Sequence, residues 1–506
     1  MNASSDPGTA VPAAIALPRS ARLVATLALM LASGMQAADA TIANVALPQL
    51  EQQLGGGLAL GAWVMTGYLC ANAVAAPLTG ALRRRWGPRG LFAAAVGGFT
   101  GASLLCAAAP SSGALILFRV LQGAGGGIMH PLAQAILLDL YPRERHGRML
   151  AIWGATIMTG PIIGPALGGI ITDLASWRWV FVINLPLGAA AMLAMSRVLP
   201  ERERTGDLSV DFTGVVLLSA GIGALQLCLE RGLGRAWLAS PELIAETAIA
   251  AAAFVGIALR VRADRFAVFR PAVFRDINFA AAAFYNFISS ALMFVSIVFI
   301  PAVVEGPLGE NATLAGATIV PRGVAMMLSM LLAGQLIGRV ELRAVLFAGL
   351  GLLAAGLIML SAVAAAPASA LPLIIVGSSV QSIGVGLLFT SLSTVGFSTL
   401  PPGLRTEASG VYSLLRQLGC ASGVALMTAV LRLLMAGGPL SHAAAAGHAA
   451  GAAALNAYCQ CFRIMAAASL LVIPGIFLFR MPHAAAAPDQ AAGAGAVELR
   501  RGRLSR

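Results

Sequence analysis

The chain has 506 residues, of which 58% are hydrophobic and only 11% charged, and its mean hydropathy is +0.85. Soluble domains carry about 25% charged residues, so a soluble globular protein is excluded and an all-α polytopic membrane protein is the expected fold class. The net charge of +12 is no nucleic-acid footprint: the 33 basic residues are all arginine, most of them in short loops between apolar runs, where they orient a chain in a bilayer.

Residues 1–22 are polar and rich in Pro and Ala, and read as a cytoplasmic tail. They do not read as a cleaved signal, because the apolar run that follows is too long for an h-region. Fourteen apolar runs then succeed one another, at roughly 23–47, 61–82, 90–109, 113–138, 148–172, 178–199, 212–230, 241–261, 277–303, 313–337, 343–364, 369–394, 408–433 and 457–480. Arg83, Arg84, Arg85 and Arg89, then Arg143, Arg145 and Arg148, then Arg197, Arg202 and Arg204 share one side of the membrane. Arg260 to Arg275, Arg339, Arg343 and Arg405 fall on that side too, while the opposite loops hold chiefly Arg178, Arg231 and Arg235. The positive-inside rule therefore places both termini in the cytoplasm. Residues 481–506 read as a disordered basic tail suited to an anionic inner leaflet.

Six cysteines (Cys70, Cys106, Cys228, Cys420, Cys459 and Cys461) lie mostly inside apolar runs, with no metal-ligand or disulfide spacing, and read as core. No nucleophile–base pair or metal cluster suggests an enzyme.

An internal repeat follows the second run of each half. Residues 80–89 and 334–343 both fit G-x-L-x-x-R-x-x-x-R, at an offset of 254 residues. Two six-helix units, 23–199 and 277–480, are thus predicted around a linker, 200–276, that carries two inserted helices. Duplicated halves around a central pathway are a common transporter plan.

Charge inside the runs is scarce and informative. Asp39 lies deep in the first run with Gln36 on its face, and Arg119 lies at similar depth in the fourth, with Gln122 one turn further on. Burial disfavours a charged carboxylate and a nearby cation favours it, so such a pair can load and release a proton; the alternative is a structural tie between two helices. His130 reads as an interior histidine satisfied by its neighbours. Arg416 and Gln417 form the polar spot of the second half, either binding anionic substrate groups or paired structurally. In the fifth run Gly160, Gly164 and Gly168 recur every four residues, with Pro161 and Pro165 one step behind and Gly169 closing the motif. The glycines form a bare stripe along which another helix comes close; the prolines each remove a backbone donor. A packing role and a transport role both fit.

These motifs together resemble the fourteen-helix drug:proton antiporter branch of the major facilitator superfamily, over nearly the whole chain. The matching segments are D-A-T-I-A-N-V-A-L-P (Asp39–Pro48), R-V-L-Q-G-A-G-G-G (Arg119–Gly127), G-P-I-I-G-P-A-L-G-G (Gly160–Gly169) and S-W-R-W-V-F-V-I-N-L-P (Ser176–Pro186). The second half adds I-V-P-R-G (Ile319–Gly323) and L-L-R-Q-L-G (Leu414–Gly419). The resemblance implies two six-helix bundles rocking about a cavity, with Asp39, Arg119 and Gln122 in proton coupling. It makes Gly160, Pro161, Gly164, Pro165, Gly168 and Gly169 an antiporter motif, and places Gln36, Asn44, Arg416 and Gln417 in the substrate cavity. It also implies a gating loop of form G-x-L-A-D-R-x-G-R-R, matched here by Gly80, Leu82, Arg85, Gly87 and Arg89. The loop's Asp is replaced by Arg84 and one Arg by Pro88, which leaves Asp139 to pair with Arg85 or Arg84. The expected activity is proton-driven export of amphipathic organic molecules, with no cofactor and no metal. The expected partners are small-molecule substrates and the lipid bilayer of the inner membrane, with room for a periplasmic adaptor, no nucleic acid, and a monomeric transport unit. A dedicated exporter of one metabolite and a non-transporting receptor are the alternatives.

Overall fold

In hydrocarbon a backbone has to satisfy its own polar groups, and a helix does so within one segment. The computed structural model describes residues 17–54, 57–200, 211–231, 240–263, 268, 270–366, 369–436 and 447–480, and they are almost wholly helical. The predicted tails, as far as 1–16 and 481–506 are concerned, lie outside the described residues, as do the side chains of Asn44, Pro161 and Pro165.

The first group of helices is α1 (Arg19–Leu54), α2 (Gly57–Ala75), α3 (Thr79–Ala107), α4 (Ser112–Leu140), α5 (Arg143–Leu174), α6 (Trp177–Val182) and α7 (Asn184–Val198). Two helices follow, α8 (Phe212–Arg231) and α9 (Pro241–Arg262), packed on each other. The second group is α10 (Ile277–Glu305), α11 (Ala312–Ala317), α12 (Ile319–Leu336), α13 (Leu342–Ser361), α14 (Ala370–Ser398), α15 (Arg405–Ala436) and α16 (Gly447–Leu471). Side-chain caps set several starts: Ser111 accepts from Ala114, Asp276 from Phe279 and Asn311 from Leu314.

Among the described residues twelve stretches are long and apolar enough to cross a membrane. One of them, Trp63–Ala107, is 45 residues long and would reach about 68 Å if straight. It is broken by the 3-10 turn Ala76–Leu78 and again inside α3 at Gly87, whose φ of 70° turns the chain back before Pro88. A left-handed φ suits glycine, which is why this loop position holds one. The predicted runs 178–199 and 313–337 each carry a one-residue turn, at Ile183 and Thr318, with the backbone still in the right-handed helical region.

The repeat of the sequence extends to the packing. A Cβ at Gly125 of α4 would fall 2.8 Å from Phe99 N and 2.9 Å from Ala95 O of α3. A Cβ at Gly384 of α14 would meet Gly349 O and Leu353 N of α13. The α3 and α13 residues are offset by 254 and the α4 and α14 residues by 259. Gly160 and Gly164 of α5 press on α1 as Gly419 and Gly423 of α15 press on α10, again at an offset of 259. The two groups therefore repeat one packing pattern.

Between the bundles, α5 lies along α12, and α15 crosses α4 and the α2–α3 junction. At the arginine-rich end the repeated loop glycines sit in this seam. A Cβ at Gly80 would strike the Glu407 side chain of α15, and one at Gly334 would strike Ala151 of α5.

Candidate functional site

The first bundle holds a closed polar centre. Asp39 of α1 and Arg119 of α4 form an ion pair of 2.8 Å, with both side chains fully buried. Arg119 Nη1 also donates to Gln122 Oε1 at 2.6 Å. Gln122 Nε2 donates to Asp39 Oδ1 at 3.0 Å and to Ser103 Oγ at 2.6 Å. Asn184 Nδ2 adds donations to Asp39 Oδ1 at 2.7 Å and to Ser103 Oγ at 3.1 Å. The guanidinium lies 4.2 Å from the Tyr68 ring centre and 5.7 Å from that of Phe181, within cation–π range. Four helices, α1, α2, α3 and α4, thus contribute, together with the α6–α7 junction. Charged donors on a buried carboxylate give strong hydrogen bonds, and at low dielectric the loss of one partner is felt by every member.

Three members of this centre carry no mark in the sequence reading: Tyr68, Ser103 and Asn184. Asn184 has the best signal, since it stands in the quoted S-W-R-W-V-F-V-I-N-L-P segment, next to the Ile183 turn. Tyr68 and Ser103 look like ordinary residues of apolar runs.

Gln36 of α1 donates to the Tyr68 hydroxyl at 3.2 Å, so it belongs to the edge of this centre. His130 bonds the Ser33 carbonyl at 3.2 Å and meets Trp153 edge-on at 6.0 Å. Trp153 in turn faces Phe389 of α14 across the seam, at 6.4 Å. Arg416 of α15 is half-buried and has no carboxylate partner among the described residues. Gln417 beside it leaves its amide nitrogen buried without an acceptor.

The glycine stripe packs within the first bundle. A Cβ at Gly160 would lie 2.5 Å from the Ala37 carbonyl carbon and 2.7 Å from Ala38 N of α1. At Gly164 it would strike Thr41 Oγ1 and lie 3.2 Å from Ala38 O. The Thr41 hydroxyl is within hydrogen-bond distance of both Ala38 O (3.0 Å) and Gly160 O (3.2 Å). Gly168 is buried and its carbonyl accepts from Thr172 at 2.5 Å, while Gly169 is half-buried. The helix continues across both prolines.

The loop after α2 departs from the expected pairing. Asp139 pairs with Arg83 at 2.6 Å and with Arg405 at 3.8 Å, not with Arg84 or Arg85. Arg84 pairs instead with Glu407 of α15, a residue buried to 2% exposure that also accepts from the Arg270 backbone N–H at 2.7 Å. Arg85 is exposed, and Arg89 is half-buried just past the Gly87 turn. The reason for the correction lies in helix geometry: α3 runs through Arg83, Arg84 and Arg85, so successive side chains point about 100° apart. Arg83 also donates to Thr406 at 2.5 Å, Arg405 to Leu138 O at 3.2 Å, and Ser409 to Gln134 at 2.7 Å. All of these bonds cross between the bundles at the arginine-rich end.

Duplicated helical bundles meeting at a seam, with a buried ion pair in one of them, define a membrane transporter. The family model described as Major Facilitator Superfamily matches residues 29–424. Multidrug export protein EmrB of Haemophilus influenzae is 34% identical over 409 residues, 81% of this chain and 80% of that protein. EmrB of Escherichia coli K12 is 34% identical over 412 residues, 80% and 79% of the two chains. Among solved structures, the human organic anion transporter MFSD10 aligns with TM-score 0.60 at 16% identity, over 92% of this chain and 100% of that one, a likeness of fold alone. The chain belongs to the major facilitator superfamily, in its multidrug efflux family, and is a multi-pass protein of the inner membrane.

Proposed function

We propose that this chain is a proton-coupled antiporter that exports amphipathic organic compounds by alternating access. The observation that carries the reading is the Asp39 centre: a fully buried carboxylate held by Arg119, Gln122 and Asn184. A carboxylate isolated from water and bound by donors that can re-pair among themselves is a suitable proton site, since uptake of a proton releases Arg119 to Gln122.

Fourteen crossings suit the helices: Trp63–Ala107 counts as two, and α5, at 32 residues, is long enough to be one more. The arginine-rich loops make their end cytoplasmic, with both termini on that side. The proposed units remain 23–199 and 277–480, with 200–276 as linker. In this arrangement the seam is closed at the cytoplasmic end by Arg84–Glu407, Arg83–Thr406 and Ser409–Gln134. The loop of Gly80, Arg84, Arg85, Gly87, Arg89 and Asp139 is proposed as the gate at that end. The Gly160–Gly169 stripe sets the α1–α5 distance and so the position of Asp39 relative to the seam. Gln36, Asn44, Arg416 and Gln417 are proposed to line the substrate path. The proton gradient supplies the energy without a cofactor, and a periplasmic adaptor is compatible with the outer end.

The test uses everted vesicles from a pump-deficient host, with a fluorescent reporter of the proton gradient and a panel of amphipathic compounds. Antiport predicts that at least one compound dissipates the gradient only when the chain is present. Export from cells without any substrate-linked proton movement would remove the antiport reading.

A further inference from the structure

The second bundle contains a counterpart of the Asp39 centre with its charges rearranged. In the register set by the repeated glycine contacts, Gln122 corresponds to Gln381, Arg119 to Ser378, Gly123 to Ser382 and Tyr68 to Arg322. The same neighbours touch: Gly123 lies against Tyr68 in one bundle, and Arg322 Nε donates to Ser382 Oγ at 3.3 Å in the other. Where Gln122 donates to the Asp39 carboxylate, Gln381 donates to Ser296 Oγ at 2.8 Å and to Leu292 O at 3.3 Å. The glutamine is retained, the cation has moved from the α4 position to the α2 position, and the carboxylate is gone.

Arg322 is therefore a buried cation, 4% exposed, with no ion pair to any described residue. Its Nη1 is buried without an acceptor, and Gln381 Oε1 is buried without a donor. Such a guanidinium is unfavourable in a membrane interior unless an anion completes it. The turn of α12 that carries it borders the seam, because Gly323, the next residue, packs on Ile162 of α5. With Nε committed to Ser382, the Nη1–Nη2 edge is the part left to bind, and that edge matches the two oxygens of a carboxylate.

We propose that Arg322, oriented by Ser382, is an anion subsite of the second bundle that takes the carboxylate of an amphipathic compound moving along the seam. The subsite rests on the export reading above and adds a substrate class to it. Asp39 and Arg119 neutralise each other in the first bundle, so recognition of an anion falls to the second.

The test compares two probes with the same twelve-carbon tail, radiolabelled laurate and dodecyltrimethylammonium, by displaceable binding to the full chain in phosphatidylcholine nanodiscs. These discs contain no anionic lipid to occupy the site. Arg322→Gln is expected to weaken laurate binding at least tenfold and to leave dodecyltrimethylammonium within twofold of the wild type. Arg322→Lys, which keeps the charge but not the fork, is expected to fall between. Wild type that binds no displaceable laurate overturns the subsite. So does a monodisperse Arg322→Gln protein that binds laurate as the wild type does, or one that loses both probes equally. Export of the cationic probe without laurate binding would remove the subsite and leave export standing. Laurate binding at Arg322 with no export of either probe would do the reverse.

Discussion

Replacing Asp39 by asparagine separates a coupling role from a structural one, because the geometry forecasts a different cost for each. Asp39 accepts from Arg119 through one oxygen and from Gln122 and Asn184 through the other. Asparagine keeps one acceptor, but its amide group would confront a donor on the remaining side. Arg119 would then be a fully buried cation without its carboxylate, and its Nε and Nη2 already lack acceptors. Removing one partner of a buried pair costs about 3–5 kcal/mol, whereas removing both is often near neutral. Asp39→Asn should therefore lower the thermal midpoint of the purified protein as well as abolish substrate-linked proton flux in proteoliposomes. Asp39→Asn with Arg119→Gln should recover most of the midpoint and none of the flux. Recovery of flux in the double variant would show that the pair only ties α1 to α4. A single variant as stable as the wild type would refute the energetic argument.

Gly164→Leu drives a side chain into Thr41 and Ala38 of α1, an overpacking that typically costs about 1–3 kcal/mol. Transport in the pump-deficient host should be lost, and Gly164→Ala should lie between; unchanged export by the leucine variant would make the α1–α5 distance irrelevant. Arg84→Glu places a carboxylate against Glu407 and should loosen the seam at its arginine-rich end by about 1–2 kcal/mol, between the values for exposed and buried pairs, since Arg84 is a third exposed and Glu407 is not. Disulfide trapping between cysteines at Gln134 and Ser409 should fall with Arg84→Glu and return with Arg84→Glu plus Glu407→Arg. Equal trapping in all three would mean the pair does not hold the seam.

Much of this molecule is readable from its residues, for a physical reason: a charge in an apolar run is so unfavourable that Asp39 and Arg119 stand out, and matched depth in two helices suffices to bring them together. Ser103 and Tyr68 do not stand out, because a hydroxyl costs little in a helix and tells nothing of its direction. Asp139 was expected to pair with Arg84 or Arg85 because three adjacent arginines look equivalent in sequence. They diverge only once α3 is known to continue through them. Glu407 was invisible as a partner of Arg84, being 323 positions away on the other bundle and at the start of a helix, where an acidic residue needs no special explanation. Arg322 stood in a quoted segment, yet its isolation emerges only from the comparison of the two bundles in space.

The Arg84–Glu407 pair has a consequence for how such chains can be recombined. The family's gating loop carries an aspartate where this chain has Arg84, so an N-terminal half taken from a relative with that aspartate would bring a second carboxylate against the buried Glu407. Like charges at that spacing repel, and Arg270 alone would have to hold both. The two halves of this protein are thus matched to each other by sign, and a functional chimaera would need its junction to carry residues 84 and 407 from the same parent.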